Sequence, residues 1–327
     1  MKVLVLGATG HIGNAVIREL LHRGHHITAV SRRKEPALNL RELSVHYLSG
    51  DTDTPGQLDA WIKGHDVVVD AAAPYPIYLF EKPDVEGQRP LPYAERRTRT
   101  LLEIIRRHDV GLVYVSSFTT QLRRPQNYTE WLPRWFQQLH PYFAVKELIE
   151  SQLLAAARDG APIVVVNPTL CLGPWDMKVR ELCFVPRVLS GEIPVAAEQI
   201  VNVIDVRDVA IGLVSALQAQ RYGEPILLSG HNIAANALQT WICEIGGGKA
   251  PRMSVPASLG VLPTYVLEAL QTFTKQPVFI PALSLLLLCQ HEWLAQSAAQ
   301  QELGLVPRPL SETLRDTIGW YRELGYC

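Results

Sequence analysis

A chain of 327 residues with 47% apolar residues and a formal net charge of −1 carries enough core-forming side chains for one large core or two smaller ones. The balanced charge argues against a nucleic-acid partner, which would call for a strongly basic face. No apolar run reaches the roughly eighteen residues that a membrane-spanning helix needs, and the opening residues enter a strand pattern at once without a leader-like charge pattern, so the cytoplasm is the expected compartment.

Residues 2–6 form an apolar run that breaks at Gly7, Gly10 and Gly13 and resumes as a helical pattern to residue 24. A buried strand that turns sharply into a helix over three glycines lets the backbone approach a pyrophosphate, and the free N–H groups at the helix start receive the anion. Gly7, Thr9, Gly10, His11, Ile12 and Gly13 are therefore the expected dinucleotide loop. Residues 25–30 predict a second strand ending in Ser31, Arg32 and Arg33. NAD-selective sites place an acid at this point for the ribose hydroxyl, whereas cations suit a 2′-phosphate. No acid stands here, so NADP(H) is favoured over NAD(H).

Residues 45–50 predict a third strand, with Asp51 and Thr52 following it near the adenine. Residues 61–70 end in a fourth apolar strand that runs into Ala71, Ala72 and Ala73, whose small side chains admit a cofactor. Residues 79–95, with Pro83, Gly87, Pro90 and Pro92, read as a loop over the site. Residues 93–108 return to helical spacing, and residues 111–115 form another buried strand. Apolar strands alternating with helices predict an α/β fold, a Rossmann-type doubly wound parallel sheet. Its cofactor belongs at the carboxyl ends of the strands.

At that edge stand Ser116 and Ser117, and further on come Tyr142 and Lys146. Four residues apart, the tyrosine and lysine share one helix face. The ammonium, helped by an oxidised nicotinamide, favours phenolate over phenol, so Tyr142 can exchange a proton with a substrate oxygen. Taken together, these motifs resemble the extended short-chain dehydrogenase/reductases, the superfamily of NAD-dependent epimerase/dehydratases, dihydroflavonol reductases and 3β-hydroxysteroid dehydrogenases. The glycine loop, the serine strand at 114–117, the Tyr142/Lys146 pair, the Asn-Pro-Thr segment at 167–174 and the Asp-Val-Ala segment at 203–210 carry the likeness.

The resemblance implies catalytic roles for Ser117, Tyr142 and Lys146, with Ser116, Tyr142, Lys146, Pro168, Thr169 and Leu170 also against the cofactor. It further implies a possible homodimer through a helix pair. Two positions depart from the pattern: Ala94 stands where many relatives have Asn, and Asn167 where epimerases often have Arg.

The expected organisation is a dinucleotide-binding domain over residues 1–166 and a smaller, mainly helical substrate-binding region over 167–327, with about 200–232 returning to the Rossmann sheet. Residues 176–200 suggest a lid. Residues 259–273 have helical spacing and 279–289 are continuously apolar, a buried helix or, alternatively, a greasy pocket or a surface that meets lipid. The five cysteines are odd in number and lack a CxxC pair, and the ten histidines lack ligand spacing, so neither a disulfide framework nor a metal is expected.

The expected activity is hydride transfer between NADP(H) and the carbonyl or carbinol carbon of a moderately apolar small molecule. Two alternatives stand beside it. A nucleotide-sugar epimerase or dehydratase would hold its diphosphate with cations such as Arg180, Arg187 and Arg252. A non-enzymatic sensor like the NmrA-type regulators would need no catalytic set.

Overall fold

A computed structural model of the chain describes residues 1–54, 56–78, 89–121, 136, 139–274, 280–289 and 293–327. The first half alternates strand and helix: β1 (Lys2–Leu6), α1 (His11–His22), β2 (His26–Ser31), β3 (His46–Ser49), α2 (Gln57–Ile62), β4 (Val67–Asp70), α3 (Pro90–His108), β5 (Gly111–Val115), α4 (Pro141–Arg158) and β6 (Ile163–Pro168). The second half adds β7 (Leu170–Leu172), α5 (Phe184–Leu189), β8 (Val195–Ala197), β9 (Ile200–Asp205), α6 (Val206–Gln218), β10 (Pro225–Leu228), β11 (His231–Ala234), α7 (Ala235–Gly246), β12 (Met253–Val255), α8 (Ser258–Thr274), α9 (Ala282–Leu288), α10 (Ala298–Glu302) and α11 (Leu310–Glu323).

Seven strands in the order β10-β6-β5-β4-β1-β2-β3 make one sheet, and every pairing in it is parallel. Such strands are covered on both faces, which is why β1 and β6 read as unbroken apolar runs. One face packs under α1 and α6, the other under α2, α3 and α4. From β1 the chain winds outward to β2 and β3, then crosses to β4 on β1's other side. That reversal opens a crevice at the carboxyl ends of β1 and β4, the place where open α/β sheets take ligands.

The return to this sheet is narrower than residues 200–232: only β10 joins it, through α6. The flanking strands β9 and β11 pair with each other and with β7 in a separate three-stranded sheet. Antiparallel pairing of β9 with β11 turns the chain away from the Rossmann edge, so the C-terminal part mixes short strands with its helices. The loop expected over 79–95 ends earlier than its prolines suggest. α3 begins at Pro90, because prolines fit a first helical turn whose N–H groups have no intrahelical partner. Lys82, Pro83 and Gly87 lie outside the described residues, as does Phe279 of the apolar run. Among the described residues, no helix is long and apolar enough to cross a membrane.

Candidate active site

The glycine loop sits at the crevice because two of its glycines have no room for anything larger. Gly7 adopts φ +81°, and a Cβ there would lie 2.7 Å from the Ala71 carbonyl; one on Gly13 would lie 2.3 Å from the Gly7 carbonyl. The loop thus packs directly on the residue after β4, bringing Gly7, Gly13 and Ala71 together. Gly10 caps α1 without a side-chain hydrogen bond, which leaves first-turn N–H groups for an anion. Thr9 Oγ1 lies 3.3 Å from Ser31 Oγ, tying the loop to the end of β2.

Arg32 and Arg33 are exposed beside it. A cavity of about 450 Å³ there is lined by Arg33, Lys34, Glu35, Arg41 and Met177, among others, so two further cations and one acid stand with Arg33. Asp51 and Thr52 follow β3 at the same edge, where Asp51 Oδ1 accepts the Asp53 N–H at 3.1 Å. The Tyr93 hydroxyl from α3 donates to Asp53 at 2.6 Å.

A strap over residues 173–178 closes the loop from the substrate side. Asn39 donates to both the Thr9 carbonyl (3.2 Å) and the Trp175 carbonyl (3.0 Å), and Asn14 donates to the Asn39 carbonyl at 2.9 Å. Trp175 is held at φ +74° with the Arg18 guanidinium 4.2 Å above its ring. The strap is anchored in turn by α11, where Trp320 Nε1 donates to the Asp176 carbonyl at 2.8 Å and the Tyr321 hydroxyl to its carboxylate at 3.2 Å. Under it His11 Nε2 is buried without a hydrogen-bond partner, and burial holds the imidazole pKa below its ordinary value. The uncapped helix start, the filled glycine cradle and this orphaned nitrogen fit a dinucleotide diphosphate.

Tyr142 and Lys146 lie one turn apart on α4, both buried, and face the end of β5. The side chains of Ser117 and Thr119 lie by the Tyr142 hydroxyl and favour its ionised form, and Thr119 Oγ1 donates to Ser117 Oγ at 3.0 Å. Burial, reinforced by the neighbouring Tyr75, pushes the Tyr142 phenol well above its usual pKa. The lysine does not offset this: its Nζ is directed at the Val115 carbonyl (3.2 Å) and the Tyr114 hydroxyl (3.5 Å). Within the protein's own residues Lys146 is thus directed past the Tyr142 hydroxyl, and burial favours the phenol. Burial lowers the Lys146 pKa to about 8, against the raising influence of Asp70 and Glu150.

Several site residues escaped the sequence reading. Glu150 lies one further turn along α4, and its buried carboxylate accepts from Ser116, from Thr120 (2.8 Å), from Gln121 (2.8 Å) and from Asn167 (2.7 Å). Asn167 also donates to the Ser117 carbonyl at 2.9 Å. One carboxylate thus pins the loop that presents Ser117 and Thr119. Its signal was present as the third member of a Tyr142, Lys146, Glu150 stripe at i+4 spacing.

His140 caps α4, its Nδ1 accepting the Tyr142 N–H at 3.3 Å, and burial lowers its pKa to about 4. Arg97 forms two hydrogen bonds with Asp70, at 2.7 and 2.9 Å, both groups buried below Lys146. Burial opposes ionisation of Asp70, but Arg97 outweighs it and holds the carboxyl below the usual range.

On the cofactor side Pro168 and Thr169 are buried at the end of β6, with Thr169 donating to Asn202 at 2.8 Å, and Leu170 projects from the edge. Ala72 N–H donates to the Asp70 carboxylate at 3.1 Å, and Ala73 packs against the core under α3 and α4. On the substrate side the Tyr142 ring meets Tyr75 edge-on at 5.0 Å and Phe143 edge-on at 5.3 Å. Of the cations available for a diphosphate there, Arg180 (2.6 Å) and Arg187 (3.5 Å) both close on Glu192, and Arg252 is exposed.

Residues 3–228 match the family described as the NAD dependent epimerase/dehydratase family. Three relatives align over almost the whole chain. A putative dihydroflavonol 4-reductase of Synechocystis sp. is 27% identical over 98% of this chain and 95% of its own length. Sterol demethylase protein B of Methylococcus capsulatus is 27% identical over 99% of both. Ceramide reductase of Caulobacter vibrioides is 25% identical over 99% of this chain and 95% of its own length.

Proposed function

This chain belongs to the NAD dependent epimerase/dehydratase family and is an enzyme of the dehydrogenase/reductase kind, and from that premise we propose that it reduces a carbonyl carbon on a bulky apolar molecule with NADPH. The observation that carries this reading is the buried Tyr142, one helical turn from Lys146 and close to the Ser117 and Thr119 hydroxyls. A bound nicotinamide supplies the hydride. The Ser117 and Thr119 hydroxyls hold the substrate oxygen, and Tyr142 delivers the proton that this oxygen needs as the carbon is reduced. A raised phenol pKa keeps that proton loaded at neutral pH, which suits reduction. Lys146, freed from the Val115 carbonyl, bonds the nicotinamide ribose and lowers the cost of the phenolate left behind.

The glycine loop, from Gly7 to Gly13, holds the diphosphate. Arg33, Lys34 and Arg41 line a cavity with Glu35, next to the exposed Arg32, and this excess of cations supports NADP(H) over NAD(H). Tyr75, Phe143 and Leu170 give the substrate side an apolar wall, in keeping with relatives whose names refer to a dihydroflavonol, a sterol and a ceramide. The test is NADPH oxidation, followed optically, against long-chain and polycyclic ketones, with the alcohol product identified by mass spectrometry. Turnover with NADPH that exceeds turnover with NADH and collapses in Tyr142→Phe is expected. Interconversion of sugar-nucleotide stereoisomers, with every ketone left untouched, would overturn it.

A further inference from the structure

The strap that closes on the glycine loop carries one more cation. Lys178 stands three residues beyond Trp175, whose carbonyl Asn39 ties to that loop, and its side chain is 57% exposed. Exposure alone would make it a solvated surface group, yet loss of hydration is the largest influence on its ammonium; Asp176 and then Tyr75 outweigh that loss and hold its pKa above the ordinary value. A group that is open to water and still short of it lies inside a cleft. Tyr75, 51% exposed, shows the same combination, and its ring meets that of Tyr142 edge-on at 5.0 Å. The ammonium acts on the Tyr75 hydroxyl, on the Cys171 thiol of β7 and on His11 of the glycine loop, so Lys178 shares the crevice with all three.

We propose that Lys178, with the Tyr75 hydroxyl, anchors a carboxylate of the substrate, so that, on the reading of this site as a carbonyl reductase, the molecule reduced is an apolar keto acid. The charges around the crevice leave Lys178 for this role. Nearby carboxylates are engaged within the protein: Asp70 by Arg97, Glu150 by its four donors and Asp205 by Arg207 at 2.8 Å. Asp176 is buried and accepts the Lys178 N–H at 3.1 Å and the Tyr321 hydroxyl at 3.2 Å. Its carboxylate stands 3.5 Å from the Lys178 ammonium, longer than the roughly 2.7–2.9 Å of a charge-assisted hydrogen bond. Asp176 therefore keeps the ammonium charged and in place without taking up its donors.

The other cations have work elsewhere. Arg97 is engaged by Asp70, Arg18 stacks on Trp175, and Lys146 is directed at the Val115 carbonyl. One ammonium and one hydroxyl match the two oxygens of a carboxylate. A diphosphate calls for more positive charge, and Arg180 and Arg187, the next cations along the chain, are closed on Glu192.

The test uses three ketones that share a phenyl group, 4-oxo-4-phenylbutanoate, its methyl ester and butyrophenone, each with NADPH and the full chain. The wild type should favour the acid over the ester by about tenfold or more in kcat/KM, one charge-assisted contact's worth. In Lys178→Met that preference should fall to about one, through a higher KM for the acid with kcat within about twofold. Lys178→Arg should restore part of it, and Tyr75→Phe should lower it by about threefold, the effect of one neutral hydrogen bond.

Turnover of the ester and butyrophenone with no preference for the acid would overturn the anchor and leave the catalytic reading standing. A Lys178→Met variant that loses NADPH affinity and keeps the preference would also overturn it, because the ammonium would then serve the cofactor's diphosphate. Should none of the three ketones be reduced, the catalytic reading fails, and calorimetric binding to the protein loaded with NADP⁺ decides the anchor separately. Tighter binding of the acid than of the ester, with the difference lost in Lys178→Met, would uphold it; equal binding would overturn it.

Discussion

Removing the Glu150 carboxylate separates positioning from charge at the centre of the site. Four donors, from Ser116, Thr120, Gln121 and Asn167, converge on it, and it is one of two carboxylates that raise the pKa of the buried Lys146. Glu150→Ala strands those donors and leaves Lys146 with only Asp70, which Arg97 already engages. Truncating one member of a buried, hydrogen-bonded charge cluster costs about 3–5 kcal/mol, a large share of the roughly 5–15 kcal/mol that holds a domain folded. Glu150→Gln keeps an acceptor for Ser116, Thr120 and Asn167, and the half-exposed Gln121 amide can rotate to meet the new NH₂, so its cost is about 1 kcal/mol.

The charge is nevertheless gone from the Gln variant. Lys146, already at about 8 because of burial, loses one of the two groups that raise it and gives up its proton at lower pH. Guanidinium unfolding followed by circular dichroism measures the first effect, and the alkaline limb of the pH profile of NADPH binding measures the second. An Ala variant within about half a kcal/mol of wild type, or an alkaline limb unmoved in the Gln variant, would refute this account of Glu150.

Tyr142→Phe should lower carbonyl reduction by about 10²- to 10⁴-fold with NADPH affinity retained, measured by steady-state rates and nicotinamide fluorescence. Arg32→Ala with Arg33→Ala should weaken NADPH binding by about 10- to 100-fold, one or two charge-assisted contacts' worth, and leave NADH binding unchanged in the same titration. Arg97→Met should destabilise the fold by about 3–5 kcal/mol by leaving Asp70 buried and unpaired, visible as a lower guanidinium midpoint.

His140 carries an acid-side prediction. Its folded pKa of about 4 lies below the unfolded value of 6.5, so the unfolded chain binds the proton first and stability falls as pH drops from 6.5 to about 4. The loss is about 3 kcal/mol, and His140→Asn, which keeps a capping acceptor without titrating, should flatten that slope in unfolding experiments at successive pH values.

What the sequence made legible was local. The strand–glycine–helix start, the apolar runs of the parallel strands and the Tyr142/Lys146 spacing each follow from neighbours within a few residues, and a buried parallel sheet leaves little choice about which face is which. The meeting of distant segments was not legible. Arg97 finds Asp70 across 27 residues and Asn39 reaches Trp175 across 136, contacts set by how helices and strap fold over the sheet. The direction of the Lys146 ammonium was not legible for a related reason. Spacing places the ammonium on the phenol's helix face, but the three-dimensional packing aims it at the Val115 carbonyl and surrounds the phenol with Tyr75 and apolar groups. Nor was it legible that the leucines of α8 lie on its exposed face, because helical spacing does not say which side of a helix faces the protein.

Denaturing freshly purified protein and identifying the nucleotide it releases tests the central claim most directly. A reductase that exchanges its cofactor at each turnover should release little nucleotide, and what is present should be NADP⁺ or NADPH held loosely enough to dialyse away. Close to one NAD⁺ per chain, retained through purification, would contradict that account and point to a redox-neutral cycle on a resident cofactor.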